Sequence, residues 1–277
     1  MTDSIEEMFR LEGSVAIITG GAGMLGRQYI RTLLMAGPRV VVADVRGDIA
    51  EQVAQEAMEE VGGEAIGLAV DVSCKDDVDR MVNLIVKRWG SVDILVNNAA
   101  IDPKFDADVA SLQTYGFEDY PLDLWQQSLD VNLTGAFLCA QAVGKVMVRQ
   151  GGGVIVNICS TYGIVAPDQK LYKQHDELEQ TLFKPVSYAV TKAGIAHLTR
   201  YLAAYWGDKN IRVNTLTPGG VFNAQDEEFV AKYSMRTPLG RMAEKHELCG
   251  PLLFLVSDAS SYMTGANLIV DGGWTAW

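Results

Sequence analysis

A phenol, an ammonium, a hydroxyl and a carboxamide stand in this chain at spacings that suit proton transfer to a carbonyl oxygen. Tyr188 and Lys192 are four residues apart within residues 185–206, where Pro185 opens a helical apolar periodicity, so the two side chains share one face. Ser160 follows the apolar run 154–158, read as the most central strand, and so stands at a strand's carboxyl end, where open α/β sheets place their chemistry. A ketone that receives a hydride needs a proton at its oxygen, and a phenol with a pKa of about 10 needs help to exchange one at neutral pH. An ammonium one helical turn away gives that help by stabilising the phenolate, and a positively charged nicotinamide adds to it. On this reading Tyr188 is the acid and base, and Ser160 holds the substrate oxygen. Lys192 tunes the phenol and binds the nicotinamide ribose, while Asn132 holds a water that links Lys192 to solvent. Each residue has an ordinary alternative: a chance helical pair, a turn serine, a packed core amide. The signal lies in their joint occurrence beside a dinucleotide turn.

That turn is the element that must position them. Val15, Ala16, Ile17, Ile18 and Thr19 run as a strand into Gly20 and Gly21, and the apolar periodicity of Met24, Leu25, Tyr29, Ile30, Leu33 and Leu34 opens a helix. Glycines at 20, 23 and 26 keep Cβ atoms out of the space where backbone N–H groups and a helix N-terminus meet a pyrophosphate. Asp44 ends the next strand, eighteen residues past Gly26, where a carboxylate accepts both adenosine ribose hydroxyls and repels a 2′-phosphate. NAD is therefore expected over NADP, with Arg27 and Arg46 as the guanidinium groups able to turn toward a phosphate. Asp71 and Val72 follow the strand 65–70 at the expected adenine position, though Asp71 also suits an N-cap for the helix 75–89. The strand 92–96 runs into Asn97, Asn98, Ala99 and Ala100, small and amide-bearing residues suited to lining a cofactor cleft. The strand 211–216 leads into Pro218, Gly219, Gly220 and Val221.

Strands and helices alternate along all 277 residues, which predicts a single α/β domain: a Rossmann-type doubly wound sheet of about seven parallel strands with helices on both faces. Residues 122–150 are expected as one long helix with Trp125, Leu129, Leu133, Phe137 and Ala140 on its apolar face, ended by Gly151, Gly152 and Gly153. Helix 247–256 and strand 267–270 complete the chain. Two stretches break the rhythm: residues 101–120 read as a surface loop, and 165–184 as a substrate lid or a solvated excursion. A formal charge of −12 without a basic stripe argues against a nucleic-acid partner. Cys74, Cys139, Cys159 and Cys249 are widely spaced, which suits buried free thiols and neither a disulfide framework nor a metal site. No basic and apolar blocks of a signal peptide occur at the N-terminus and no apolar run is read as spanning a bilayer, so a cytoplasmic protein without a membrane partner is expected.

Thr19-Gly20 through Gly26, Asp71-Val72, Asn97-Asn98-Ala99, Asn132, Ser160, Tyr188 through Lys192 and Pro218-Gly219 occur in an order that resembles the short-chain dehydrogenase/reductase family in its one-domain form, over essentially the whole chain. The resemblance implies a seven-stranded sheet, pro-S hydride transfer, and backbone groups at Val221 and Val72 contacting the nicotinamide amide and the adenine. It also implies a homotetramer built from two long helices and the C-terminal strand. Met24 stands where the one-domain form has Gly, giving a glycine spacing similar to that of the larger sugar-nucleotide members; Ala100 replaces a commoner Gly and Asn223 a Thr that often binds cofactor. The long interval between Ser160 and Tyr188, with Ile101-Asp102-Pro103-Lys104 and Ser160-Thr161-Tyr162-Gly163, resembles the branch of gluconate 5-dehydrogenase-like and nonulosonic-acid-pathway oxidoreductases.

The expected activity is NAD-dependent interconversion of a secondary alcohol and a ketone on a small polyhydroxylated, sugar-derived or aldonate substrate. Lys104, Lys170, Tyr172, Lys173 and His175 are the lid residues suited to carboxylates or hydroxyls. Three other readings compete: a reductase of 3-oxoacyl or other apolar ketones, which the charged lid disfavours; a non-catalytic NAD-sensing binding protein, which has no need of a tuned phenol; and a sugar-nucleotide epimerase. The last needs a C-terminal substrate domain for which too few residues follow Pro218-Gly219.

Overall fold

Runs of β-branched and aliphatic residues without alternation mark strands buried on both faces, and seven of them pair in parallel at the centre of the molecule. A computed structural model describes residues 4–102, 114–173 and 179–277. The strands are β1 (Val15–Thr19), β2 (Arg39–Asp44), β3 (Ala65–Ala69), β4 (Ile94–Asn97), β5 (Gly153–Ile158), β6 (Ile211–Pro218) and β7 (Asn267–Val270). Their order is β3-β2-β1-β4-β5-β6-β7, so the winding reverses between β1 and β4, and the crevice for a ligand opens there at the carboxyl ends.

Period-two alternation sends β1 side chains to two cores. Ala16 and Ile18 pack with α2 (Met24–Ala36), α3 (Gly47–Val61) and α9 (Cys249–Val256). Val15 and Ile17 pack with α4 (Lys75–Trp89), α6 (Gly135–Gln150) and α7 (Val186–Trp206). A short N-terminal helix α1 (Ile5–Met8), α5 (Leu122–Leu129) and α8 (Glu227–Ser234) complete the helices among the described residues. α8 was not foreseen, although Asp226 caps it through Glu228 N and Phe229 N and two acidic residues follow in its first turn.

The expected helix 122–150 differs in two ways. Its middle is a π-helical turn, Asp130–Thr134, that joins α5 to α6 and contains Asn132. Its buried side carries Ser128, Asn132, Gly135, Ala136, Cys139, Val143 and Met147, whereas Phe137 is exposed and Trp125, Leu129 and Leu133 are half-buried. The reason is packing distance: small residues let the helix lie close against the sheet and α7, as where Trp206 fills the space a Gly144 Cβ would take. By length and composition Leu122–Gln150 could also cross a membrane, contrary to the sequence expectation, but it packs on the sheet as a core helix. All four cysteines are free, and Cys74, expected to be buried, is exposed as the N-cap residue of α4.

A buried polar chain ties the sheet to the helix that carries Tyr188. Asn97 Nδ2 donates to Asn157 Oδ1 at 2.8 Å, Asn157 Nδ2 donates to Thr199 Oγ1 at 2.9 Å, and Thr215 Oγ1 donates to the same hydroxyl at 2.8 Å. β4, β5 and β6 are thereby pinned to α7 beneath the carboxyl edge of the sheet.

Candidate active site

The glycine turn is as tight as its sequence suggests. Gly20 has φ +62°, and a Cβ there would lie 2.7 Å from Ala99 Cα; a Cβ on Gly26 would lie 2.5 Å from the Gly20 carbonyl oxygen. The N-cap of α2 is Gly23, which offers no side-chain cap, so the first N–H groups of the helix remain for a ligand. Asp44 Oδ2 accepts from Ala22 N at 3.0 Å, joining the end of β2 to this turn. Asn98 closes the other wall, its Nδ2 donating to the carbonyls of Thr19 and Gly20 at 3.0 Å each.

These walls bound a cleft of about 1170 Å³ along the carboxyl edge of the sheet. Gly20, Gly23, Met24, Leu25, Asp44, Asp71, Val72, Asn98 and Ala99 line it, as do Pro218, Gly219 and Val221 at the far end. Gly26 and Asn132 are not in the lining and act from behind it. Asp71 Oδ1 accepts from Ser73 N and Oγ at 2.9 and 2.6 Å, a turn of its own, while Cys74 takes the N-cap position. Of the two guanidinium groups, Arg27 is turned onto the Ala22 carbonyl and Glu56, whereas Arg46 lies against Asp44 with Nε 3.4 Å from Oδ1. An open cradle of backbone N–H groups at one end, a carboxylate at the ribose position and a continuous trough beyond it fit a dinucleotide.

Ser160, Tyr188 and Lys192 meet at the bottom of this cleft. Ser160 caps a 3₁₀ turn, accepting from Tyr162 N at 3.2 Å, and its hydroxyl lines the cleft with the Tyr188 phenol. Lys192 is buried, its Nζ donating to the Ile158 carbonyl at 2.8 Å and lying 5.7 Å from the Tyr188 ring centre. Burial first, and then the Asp102 carboxylate, hold the Tyr188 phenol well above the ordinary phenol range, while the Ser160 hydroxyl draws it down. Burial also lowers the Lys192 ammonium from its ordinary value, Lys184 adds to this, and Cys159 and Asp102 oppose it.

Asn132 has both amide hydrogens in use, since Nδ2 donates to the Ile101 carbonyl and to Thr191 Oγ1 at 3.2 Å each. Its Oδ1 accepts from Ile101 N at 2.7 Å. The carboxamide thus clamps the loop after β4 to α7.

Sequence reasoning passed over Lys184 and Asp102 as site residues. Lys184 Nζ and Asp102 Oδ1 are 2.6 Å apart, and the ammonium sits 3.9 Å from the Tyr188 ring centre. The available signal was spacing: Lys184 precedes Tyr188 by the same four residues by which Lys192 follows it. Tyr162, Tyr172, Phe229 and Tyr233 also line the cleft, Tyr172 donating to the Tyr162 hydroxyl at 3.1 Å. Of the lid residues proposed for the substrate, Tyr172 reaches the lining and Lys170 and Lys173 do not. Lys104 and His175 lie outside the described residues.

Comparison with known proteins agrees with this geometry. The family profile described as short chain dehydrogenase matches residues 14–172, and the one described as enoyl-(acyl carrier protein) reductase matches residues 177–275. The chain is 33% identical to D-threitol dehydrogenase of Mycolicibacterium smegmatis, covering 98% of this chain and 96% of that one. It is 32% identical to an NAD-dependent glycerol dehydrogenase of Listeria innocua, covering 96% of each. It superposes with a TM-score of 0.83 on gluconate 5-dehydrogenase from Burkholderia cenocepacia, solved with NADP and tartrate, at 32% identity over 98% of this chain and 99% of the other. A parallel seven-stranded sheet with Ser160, Tyr188 and Lys192 gathered at its carboxyl edge, matched end to end by such relatives, makes this chain a one-domain member of the short-chain dehydrogenase/reductase family.

Proposed function

We propose that the protein is an NAD(H)-dependent oxidoreductase that interconverts a secondary alcohol and a ketone on a polar, sugar-derived or polyol substrate, with Tyr188 as acid and base. Action on CH–OH groups with a nicotinamide cofactor follows from family membership. The observation that carries the rest is the convergence of Ser160, Tyr188 and Lys192 in the same cleft that the glycine cradle lines.

The glycine turn, Asp44, Asp71, Val72, Asn98 and Ala99 on one side and Pro218, Gly219 and Val221 on the other would hold a nicotinamide cofactor, which would supply or take up the hydride. In oxidation Tyr188, as phenolate, takes the hydroxyl proton of the substrate; in reduction the phenol returns a proton to the ketone oxygen. Ser160 hydrogen-bonds that same oxygen and fixes its distance from the phenol. Lys192 favours the phenolate and hydrogen-bonds the nicotinamide ribose, while the Ile158 carbonyl fixes its ammonium. Asn132 acts as a positioning residue, holding Ile101 against α7.

Preference for NAD rests on Asp44, and a relative named as NAD-dependent supports it; the neighbour solved with NADP makes the point one to test. Relatives named for threitol and glycerol, and one solved with tartrate, support a short hydroxylated substrate. Cytoplasmic residence is supported by four free thiols. A homotetramer is supported by apolar side chains left exposed on the outer faces of α6 and α7 and on β7, namely Phe137, Val148, Tyr201, Tyr205 and Ile269.

Tyr188→Phe tests the mechanism and separates it from a sensor that only binds NAD. Cofactor affinity is expected to survive while turnover falls about a hundredfold or more. Unchanged turnover would remove Tyr188 from the chemistry.

A further inference from the structure

Two charged side chains in the cleft belong to neither the proton path nor the cofactor cradle. Lys184 and Asp102 form an ion pair at 2.6 Å, with side chains 3% and 14% exposed, and both line the cleft. Removing two charges from water is costly, and a buried pair is seldom a net source of stability. Here the fold holds each half by a carboxamide. Gln169 brackets Lys184, its Oε1 accepting from Lys184 N at 2.8 Å and its Nε2 donating to Lys184 O at 3.0 Å. Asn132 brackets Ile101, beside Asp102, in the same two-bond manner. These bonds fix the backbone from which each side chain of the pair springs.

Its position gives it access to the substrate. The Lys184 ammonium lies 3.9 Å from the Tyr188 ring centre, so a group bound to it is a neighbour of the carbon whose oxygen meets the phenol. An ammonium has three donors and a carboxylate about four acceptor sites, so an ion pair side by side offers donors and acceptors together. A hydroxyl is the substrate group that needs both. A carboxylate needs donors only and would meet Asp102 with like charge. The cleft as a whole repeats this bias, with five lining Asp residues against one Arg and two Lys.

We propose that the Lys184–Asp102 pair is the specificity element for a hydroxyl adjacent to the reacting carbon, so that the enzyme selects uncharged vicinal polyols over simple alcohols and over aldonates. This rests on the alcohol dehydrogenase reading and narrows it. Lys184 donates to the oxygen of the adjacent hydroxyl, whose proton is accepted by Asp102. Neither member of the pair carries the transferred proton or hydride, although Asp102 raises the pKa of the Tyr188 phenol.

The test compares D-threitol, 2-butanol and erythronate as substrates for the wild type, Asp102→Asn, Lys184→Met and the double variant, with NAD saturating. For the wild type, kcat/KM for threitol is expected to exceed that for 2-butanol by about a hundredfold or more, because a site built to bond a hydroxyl rejects a substrate without one. Lys184→Met should collapse that ratio at least thirtyfold, mainly through KM. Asp102→Asn should raise the erythronate-to-threitol ratio at least tenfold by removing the like charge. The double variant removes both charges and avoids an unpaired one, so it keeps the test open where a single variant folds poorly. A wild type that oxidises 2-butanol as well as threitol, or variants that lower all substrates in proportion, would overturn the inference and leave the dehydrogenase reading standing. Absence of turnover with every alcohol would overturn both.

Discussion

Lys192→Met removes one positive charge while keeping the stem that fills its buried channel, and so it isolates the ammonium's effect on Tyr188. The ammonium is 5.7 Å from the ring centre. At an effective dielectric constant of about 20, a unit charge at that distance stabilises a phenolate by ~3 kcal/mol, or about two pKa units. The sign follows: without the ammonium the phenol binds its proton more tightly. Its titration moves to higher pH, and the alkaline-rising limb of alcohol oxidation moves with it. The assay is the initial rate of NADH formation with saturating NAD across a neutral-to-alkaline pH series. Below both limbs the variant should run about a hundredfold slower than wild type, and the deficit should shrink as pH rises past the displaced limb. A deficit of constant size at every pH would mean that Lys192 acts on cofactor placement alone, and an unmoved limb would refute the electrostatic account of Tyr188.

Three further outcomes follow from other parts of the molecule. Asp44→Ala removes the carboxylate proposed to meet the adenosine ribose and frees Arg46, so the ratio of kcat/KM for NADP to that for NAD should rise at least tenfold; an unchanged ratio would mean that Asp44 does not set cofactor choice. Gly26→Ala places a Cβ 2.5 Å from the Gly20 carbonyl oxygen and 2.7 Å from Gly21 Cα, backbone atoms that cannot turn aside. A loss of ~1–3 kcal/mol in stability and a weaker NAD titration by fluorescence are expected, and unaltered binding would argue against the turn as the cradle. Tyr201 and Tyr205, stacked at 6.0 Å and more than 60% exposed, should be interfacial, so light scattering should give four times the chain mass for the wild type and a smaller species for the double Tyr→Glu variant.

The sheet and its crevice were legible because uninterrupted apolar runs and glycine punctuation are local signals, and β1, the turn and α2 fall where those signals put them. Helix faces were less so. Residues 122–150 carry large apolar side chains on one side and small ones on another, and the small side faces the sheet because backbone approach gains more contact there than side-chain bulk does. Phe137 is then left outside and Trp125, Leu129 and Leu133 only half-buried, so the large side chains mark the buried face imperfectly. Ser160, Tyr188 and Lys192 were legible through spacing and position at a strand end. Lys184 and Asp102 are 82 residues apart in sequence and joined only by folding, so no local pattern could pair them. Asn132 was flagged as an amide needing a partner, but its partners at Ile101 and Thr191 emerged only with the π turn.

Two ammonium groups therefore flank one phenol, and their different surroundings divide their tasks. Lys192 donates to a neutral carbonyl, so its full charge acts on Tyr188 across 5.7 Å. Lys184 is nearer the ring, but Asp102 sits 2.6 Å from it, and an ion pair acts at a distance as a dipole whose field falls off faster than that of a charge. The carboxylate itself pushes the phenol's pKa up. Asp102 thus works against the phenolate, while the pair keeps strong, short-range donors and acceptors beside it. On the proposed mechanism, such an arrangement would let the chain alter what it binds next to the reacting carbon without removing the charge that Lys192 sets beside Tyr188. Gln169 in turn holds the Lys184 backbone and Asn132 that of Ile101, beside Asp102, so the supports of the ion pair are carboxamides distinct from Ser160, Tyr188 and Lys192.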